Sequence, residues 1–563
     1  MKIRFFASFL ACSFFLHGQF KPTEVEFSPP LDIPLILAGT FGELRSNHFH
    51  AGLDIKTQQR EGLPVYAIAE GVVSRIKVDH WGYGKVVYIQ HPGGYTSVYG
   101  HLQKFGPNIE NYVKNLQYQN QSYQIEAFPK YGELVVNQGD VIAFSGNTGG
   151  SSGPHLHFEV RDSRNENPTN PLLYNFEIKD KTSPTLESLF VYPLSDGAVV
   201  NKSEIRIEIP LSRQPDGSYL AQPINAIGTI GFGVSAYDRQ DLAANKNGLF
   251  QIVQRVNGST TTEITFDRFS FDESRQLNTL IDYPYLTRYG KRIQKCFRDS
   301  GNKLSLFKAN ENDGKINVET GMSYSAEIEL ADRSGNRTLV RIPILGKEES
   351  PGVVKDVITT PYLVRSDQPS SFTLDKAIVY FPAGAFYQNA YLDLAAQGDT
   401  VVLHEPTLPL ERNFTLTFSI ADLEESARKG LCIVRLNDRN TPIFYETYRR
   451  AQSVSIRSRE LGRYTIKQDT VPPKIRPKNF KAKQWLNHYR YLSVIIEDEL
   501  SGIDTYKAYL NGKWILMEYE PKKRTLTYAF DEVATAGPQF DLKVEVTDVA
   551  GNSSTFETTF FRQ

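Results

Sequence analysis

The sequence predicts a mainly β protein, with an N-terminal antiparallel β-sheet domain followed by about three β-sandwich modules. Three observations carry that prediction. Between residues 62 and 102 apolar and polar residues alternate with period two, in runs such as Gly71-Val72-Val73-Ser74-Arg75-Ile76-Lys77-Val78 and Lys85-Val86-Val87-Tyr88-Ile89-Gln90. Gly and Pro punctuate these runs, as short antiparallel strands joined by turns require. From about residue 180 the β-type runs lengthen, their joints become Pro-rich and histidine almost disappears. Finally, 563 residues are too many for one core when a domain takes about 150.

Taken in order, the chain opens with Lys2 and Arg4 ahead of an apolar run over residues 5–16. This reads as a secretory signal peptide, residues 1–19, too short to span a bilayer. Leu10-Ala11-Cys12 is loosely similar to a lipoprotein box, but the apolar run continues past Cys12. No second span follows, so the mature protein is expected to be exported, with no membrane span. The first domain covers residues 20–178. Within it, residues 109–128 are polar and rich in Gln and Asn, with Tyr and Leu interspersed, so the stretch of about 105–130 is a helical insertion or a long loop.

Modules are expected at 180–346, 352–468 and 469–563. The first and last share punctuation. Asp180-Lys181-Thr182-Ser183-Pro184 opens one and Asp332-Arg333-Ser334-Gly335-Asn336 closes it, while Asp469-Thr470-Val471-Pro472-Pro473 and Asp548-Val549-Ala550-Gly551-Asn552 frame the other. The D-x-x-G-N ending fits a turn in which Asp and Asn bond backbone and Gly supplies positive φ. Both modules resemble the immunoglobulin-like modules of bacterial exported proteins. The middle one shows its clearest strand and turn at residues 377–386.

Composition narrows the function. Lys plus Arg total 63 against 64 Asp plus Glu, so no global field steers the chain to nucleic acid or to an anionic membrane. Three cysteines, at 12, 296 and 432, are too few for a disulfide framework. Seven of the ten histidines (48, 50, 80, 91, 101, 155, 157) fall within residues 48–157, which locates the chemistry.

Read as an extended strand over 48–55, His48, His50, Gly52 and Asp54 share a face. In Gly153-Pro154-His155-Leu156-His157-Phe158-Glu159-Val160, His155, His157 and Glu159 share one face and Leu156, Phe158 and Val160 the core face. His101 ends a strand in Tyr99-Gly100-His101-Leu102. Two neutral imidazoles and a carboxylate, with water in the fourth position, make a catalytic zinc site. His50, Asp54, His101, His155 and His157 are five candidates for three places, which leaves histidines for proton transfer. His80 and His91 read as structural, His48 as groove lining, and Glu159 as either a ligand-orienting or a structural residue. The glycine-rich run 145–153 lacks the G-K-[ST] ending of a phosphate loop and reads as a groove rim.

His50-Ala51-Gly52-Leu53-Asp54-Ile55, then Tyr99-Gly100-His101-Leu102, then the run from Gly146 to Glu159, closely resemble the lysostaphin/LytM-type zinc metallopeptidases over residues 36–176. The resemblance implies zinc held by His50, Asp54 and His157, unliganded catalytic histidines at His101 and His155, and peptide bonds of peptidoglycan stem peptides as substrate. It places the protein in the periplasm or cell envelope, where the β modules would meet wall or protein partners. The insertion at 105–130 is longer than in simple family members. Three other classes remain: a degenerate LytM-type activator that has lost its metal, a non-haem iron oxygenase, whose facial triad also uses two histidines and a carboxylate, and a wall-binding or protein-binding protein in which the β modules are the working part.

Overall fold

A computed structural model describes residues 26–356, 358–530 and 538–563. The signal peptide expected at 1–19 and Cys12 lie outside the described residues. The N-terminal part is built on β1 (Leu37–Gly39), β2 (Leu53–Lys56), β3 (Gly71–Val78), β4 (Lys85–His91), β5 (Tyr95–Gly100), α1 (Pro107–Asn120), β6 (Ile125–Ala127) and β7 (His155–Asp162). The strands form an antiparallel sheet whose main path runs β1-β2-β7-β5-β4-β3-β6. A smaller sheet joins Pro64–Tyr66, Val141–Phe144 and Lys104–Phe105. Period two decides the faces: Leu156, Phe158 and Val160 of β7 are fully buried in one core with Leu53, Ile55, Val87, Ile89 and Tyr99.

The stretch left open between helix and loop is α1 followed by β6. Pro107 at the first helical position suits a helix start, and Ile109, Val113 and Gln117 are its buried side. The strand read over 48–55 is shorter than expected. It begins at Leu53, and His50 instead sits in a hairpin closed by the Leu44–Phe49 bridge. Phe49 does not enter the core under β7. With Phe41 and Ala51 it packs into the next module, against Phe266 and Phe269.

That module is a large curved sheet of 13 strands, including the long Ile224–Tyr237, with short helices over residues 271–289. Two five-stranded sheets enclose the next core, which runs from Val364 to Tyr464, and two four-stranded sheets enclose the last. The D-x-x-G-N turns join the closing strands in both cases. Asp332 Oδ1 accepts from Asn336 N and Asp548 Oδ1 from Asn552 N, each at 2.8 Å, and Gly335 and Gly551 both take φ 93°. In each, the Asn amide also reaches the opening residue, Asn336 to the Asp180 carbonyl and Asn552 to that of Asp469.

The last module folds back onto the first domain. Glu518 accepts from the buried Lys85 at 2.9 Å and 3.0 Å, Trp514 meets Tyr118 edge-on, and Leu516 enters the core beneath the first sheet. Lys522 Nζ donates to the carbonyls of Asn147 (2.6 Å) and Ser151 (2.9 Å). Cys296 and Cys432 are buried free thiols. Among the described residues, no helix is long and apolar enough to cross a membrane.

Candidate metal centre

The register of three adjacent strands assembles the site. In β7, His157 lies opposite Asp54 of β2 on one side and Gly100 of β5 on the other, so the carboxylate and the imidazole project from one face and His101 follows at the end of β5. β2 and β7 come this close because residue 52 is glycine. A Cβ there would stand 2.2 Å from the Phe158 carbonyl oxygen.

His50 Nε2 lies 2.9 Å from Asp54 Oδ1 and 3.1 Å from His157 Nδ1, and His157 Nδ1 lies 2.9 Å from the same Asp54 oxygen. The remaining nitrogens fix the tautomers. His50 Nδ1–H donates to the Thr40 carbonyl (2.8 Å) and His157 Nε2–H to Glu159 Oε1 (2.7 Å). A carbonyl and a carboxylate only accept, so in the neutral rings the inner nitrogens carry lone pairs. Two imidazole lone pairs and one carboxylate oxygen therefore face a common point, an arrangement that repels itself unless a cation or a proton sits there. Donors at 2.0–2.1 Å from a tetrahedral zinc stand about 3.3 Å apart, close to this triangle. The donor set fits zinc, and all three residues are buried.

Around this triangle the electrostatics are strongly perturbed. Burial would raise Asp54, but the imidazoles packed against it, His50 foremost and then His155 and His157, hold it well below the usual carboxylate range. Burial works against a charged His157, yet hydrogen bonds to Asp54 and Glu159 outweigh it and hold the ring up to about 9. The bare cluster thus keeps a proton where a metal would bind, and metal entry must release it. Glu159 is fully buried. Burial would raise it, but Arg161 and His157 bring it down to about 2. Its Oε2 accepts from Arg161 Nε at 2.6 Å, and Tyr83 OH donates to Oε1, the oxygen that also bonds His157. Burial and the neighbouring Glu159 hold the Tyr83 phenol protonated, and its ring stacks on His157 with centroids 4.9 Å apart.

His101 and His155 stand beside the triangle with ring centroids 4.8 Å apart. Each donates from Nδ1 to a carbonyl of the glycine-rich rim, His101 to Thr148 and His155 to Gly153, both at 2.8 Å, which leaves Nε2 as the basic nitrogen. His155 Nε2 is 3.4 Å from Asp54 Oδ1. Burial, with His157 and His155 beside it, pushes His101 down to about 3, so it stands neutral.

All five sequence-predicted residues therefore meet in one groove, a cavity of about 1620 Å³ that His48 and the rim also line. His91 bonds Ser97 and the Glu70 carbonyl inside the fold, and His80 stacks on Tyr123 away from the groove. Sequence reading missed several contributors. Arg45 holds the outer oxygen of Asp54 at 2.8 Å, the Thr40 carbonyl orients His50, and Arg275 and Arg292 reach into the groove from the next module. No motif marks these residues: Arg45 and Thr40 act through the fold of the chain just before Asp54, and Arg275 and Arg292 across the contact with the next module.

Comparison with known proteins agrees with this geometry. Residues 48–118 and 123–171 match peptidase family M23, and residues 361–469 match the Zu5-like domain. The chain is 35% identical over 129 residues to the DD-carboxypeptidase/endopeptidase Mpg of Neisseria meningitidis serogroup B, covering 23% of each protein. It is 34% identical over 99 residues to the peptidoglycan DD-endopeptidase ShyA of Vibrio cholerae, covering 18% of this chain and 17% of that one. The chain thus spans less than a quarter of the length of these curated relatives. Among solved structures it is similar to a zinc containing peptidase from Vibrio cholerae, at 28% identity over 26% of this chain and 39% of that one, with a TM-score of 0.20. Motifs, register and family match together make residues 48–171 a peptidase family M23 domain of the LytM type.

Proposed function

We propose that the protein is a zinc metalloendopeptidase that hydrolyses peptide cross-links of peptidoglycan. The observation that carries this reading is the convergence of His50 Nε2, Asp54 Oδ1 and His157 Nδ1 beside two further histidines whose Nε2 atoms are free to move protons. A bound zinc would lower the pKa of its water towards 7 and polarise the scissile carbonyl. The remaining chemistry belongs to the chain. His50, Asp54 and His157 hold the metal, with Glu159 and Thr40 fixing the two rings so that the inner lone pairs point at it. His101, whose Nδ1–H is held by the Thr148 carbonyl, presents an unprotonated Nε2 beside the metal donors, where it is placed to take a proton from the attacking water. His155, at the Asp54 edge of the site, is placed to return a proton to the leaving amine or to hold the developing oxyanion.

The groove exceeds the roughly 300–1,000 Å³ of a small-ligand pocket, in keeping with a peptide strand as substrate. Arg275 and Arg292 on its wall match the carboxylates that stem peptides carry. The relatives named for DD-endopeptidase activity support the same substrate class. A complete donor set speaks against the degenerate activator, whose defining loss is a metal ligand. The substrate places the working protein in the cell envelope after export, with the three β modules as binding or positioning units.

The test is digestion of purified muropeptides by the full chain, with and without chelator, with products identified by mass. Cleavage of a stem-peptide bond that chelation abolishes and zinc restores is the expected result. No cleavage by fully zinc-loaded protein across muropeptides of different cross-link type would overturn the proposal.

A further inference from the structure

The joint between the M23 domain and the first β module holds three carboxylates with no counter-charge. Asp180, Asp238 and Asp332 each present an oxygen, and the three oxygens lie within 4.8 Å of one another. They line a cavity of about 270 Å³ that also takes in Asn247 and Arg333. No Lys or Arg forms an ion pair with any of the three among the described residues, and the Arg333 guanidinium is turned over the Phe250 ring, 5.7 Å from its centroid.

Asp238 is the decisive member. It is 6% exposed, and its Oδ1 has no hydrogen-bond partner among the described residues, whereas Asp332 is bonded by Asn336 through both oxygens. A buried carboxylate with an unpartnered oxygen facing two other carboxylates is costly unless something positive joins it. Burial, with Asp332 and Asp180 beside it, raises Asp238 to about 7.

We propose that Asp180, Asp238 and Asp332 form a calcium site that braces this joint. The donors are all oxygens, which suits a hard divalent cation and not zinc. Calcium accepts six to eight oxygens at 2.3–2.6 Å in irregular geometry, so oxygens on opposite sides of one ion stand about 4.6–5.2 Å apart. A set spanning 4.8 Å fits inside one such shell. The corresponding cluster of the last module, Asp469, Asp498 and Asp548, is not part of the proposal. There no carboxylate oxygen is left buried without a partner among the described residues, and Asp498 Oδ2 accepts from the backbone N–H groups of Leu500 and Gly502.

The position of the site gives it a role. Asp238 pairs with Asn247 across the base of a loop whose members hold the edge of the M23 domain. Gln240 bonds Leu37 N (2.8 Å) and the Leu35 carbonyl (2.9 Å), and Gly248 N donates to Thr40 Oγ1 (3.0 Å). Thr40 is also the residue whose carbonyl orients His50. A cation at the base of the loop therefore stiffens the segment that holds a metal ligand of the other site.

The test uses the full chain, stripped over a chelating resin, reloaded with zinc and titrated with calcium chloride by calorimetry. Asp238→Asn and Asp180→Asn should each bind one calcium fewer than the wild type. Calcium should slow amide exchange at residues 35–41 and 238–249 in the wild type and in neither variant. Asp238→Asn removes a buried charge that no cationic side chain balances, so without calcium it should melt no lower than the wild type, which separates loss of the site from loss of the fold. Equal calcium stoichiometry in wild type and variants, or calcium-independent exchange at the joint, would overturn the proposal.

Discussion

Replacing Glu159 with Gln changes a charge and almost no volume, at a position that touches no substrate. Three donors converge on the two oxygens of this buried carboxylate: His157 Nε2–H at 2.7 Å, Arg161 Nε–H at 2.6 Å, and Tyr83 OH. An amide has one acceptor oxygen. Whichever way it is flipped, its NH₂ group meets at least one of these donors. Two costs follow. Arg161, 5% exposed, keeps only the longer pair with Glu166 at 3.3 Å, so the loss lies below the roughly 3–5 kcal/mol of a buried pair broken outright. His157 loses the anion that fixes its tautomer, which lowers metal affinity about 10–100-fold, or about 1.4–2.8 kcal/mol. Zinc affinity is measured by competition with a chromophoric chelator, and stability by urea unfolding followed at the M23 domain with zinc in excess. Wild-type zinc affinity together with a wild-type unfolding midpoint in Glu159→Gln would refute the argument that this carboxylate orients the ligand.

Other substitutions divide the site by role. Asp54→Ala removes the anionic donor and leaves two lone pairs 3.1 Å apart, so metal analysis should find little retained zinc in a protein whose circular dichroism is unchanged. His101→Ala and His155→Ala should keep zinc and lose activity on muropeptides by about a hundredfold or more, the scale of a general acid or base, and full activity in either would remove that residue from proton transfer. Lys522→Ala frees the rim carbonyls of Asn147 and Ser151, next to the Thr148 and Gly153 carbonyls that hold His101 and His155. It should raise KM and leave zinc content unchanged, and identical kinetics would show that the last module does not shape the groove.

The structure also changes how the β modules can be tested. A chain cut near residue 178 would expose Phe41, Phe49 and Ala51, which pack into the following module, and would leave Lys85 without Glu518. Loss of activity in such a fragment would report damage to the first domain and not the loss of a tether, so comparisons belong on point variants of the full chain.

The sequence by itself made legible the histidines and the carboxylate proposed to hold the metal, and the sheet that presents them. Strand parity puts residues 155, 157 and 159 on one face whatever the strand packs against, and apolar Leu156, Phe158 and Val160 leave only one face for the core. Alternation and turn punctuation likewise made the β class legible, because both are local properties of the chain. What only the tertiary structure decided depends on partners far apart in sequence. Gln240 holds Leu37 N from 203 positions away, Phe49 leaves the first core for the second, and Lys522 reaches the rim from 371 positions away. Asp238 shows the difference most clearly. In sequence it is one acidic residue after a long β run, with no motif to mark it. The closing of the first module brings it to Asp180 and Asp332, and burial then strips the water that would otherwise have solvated its charge.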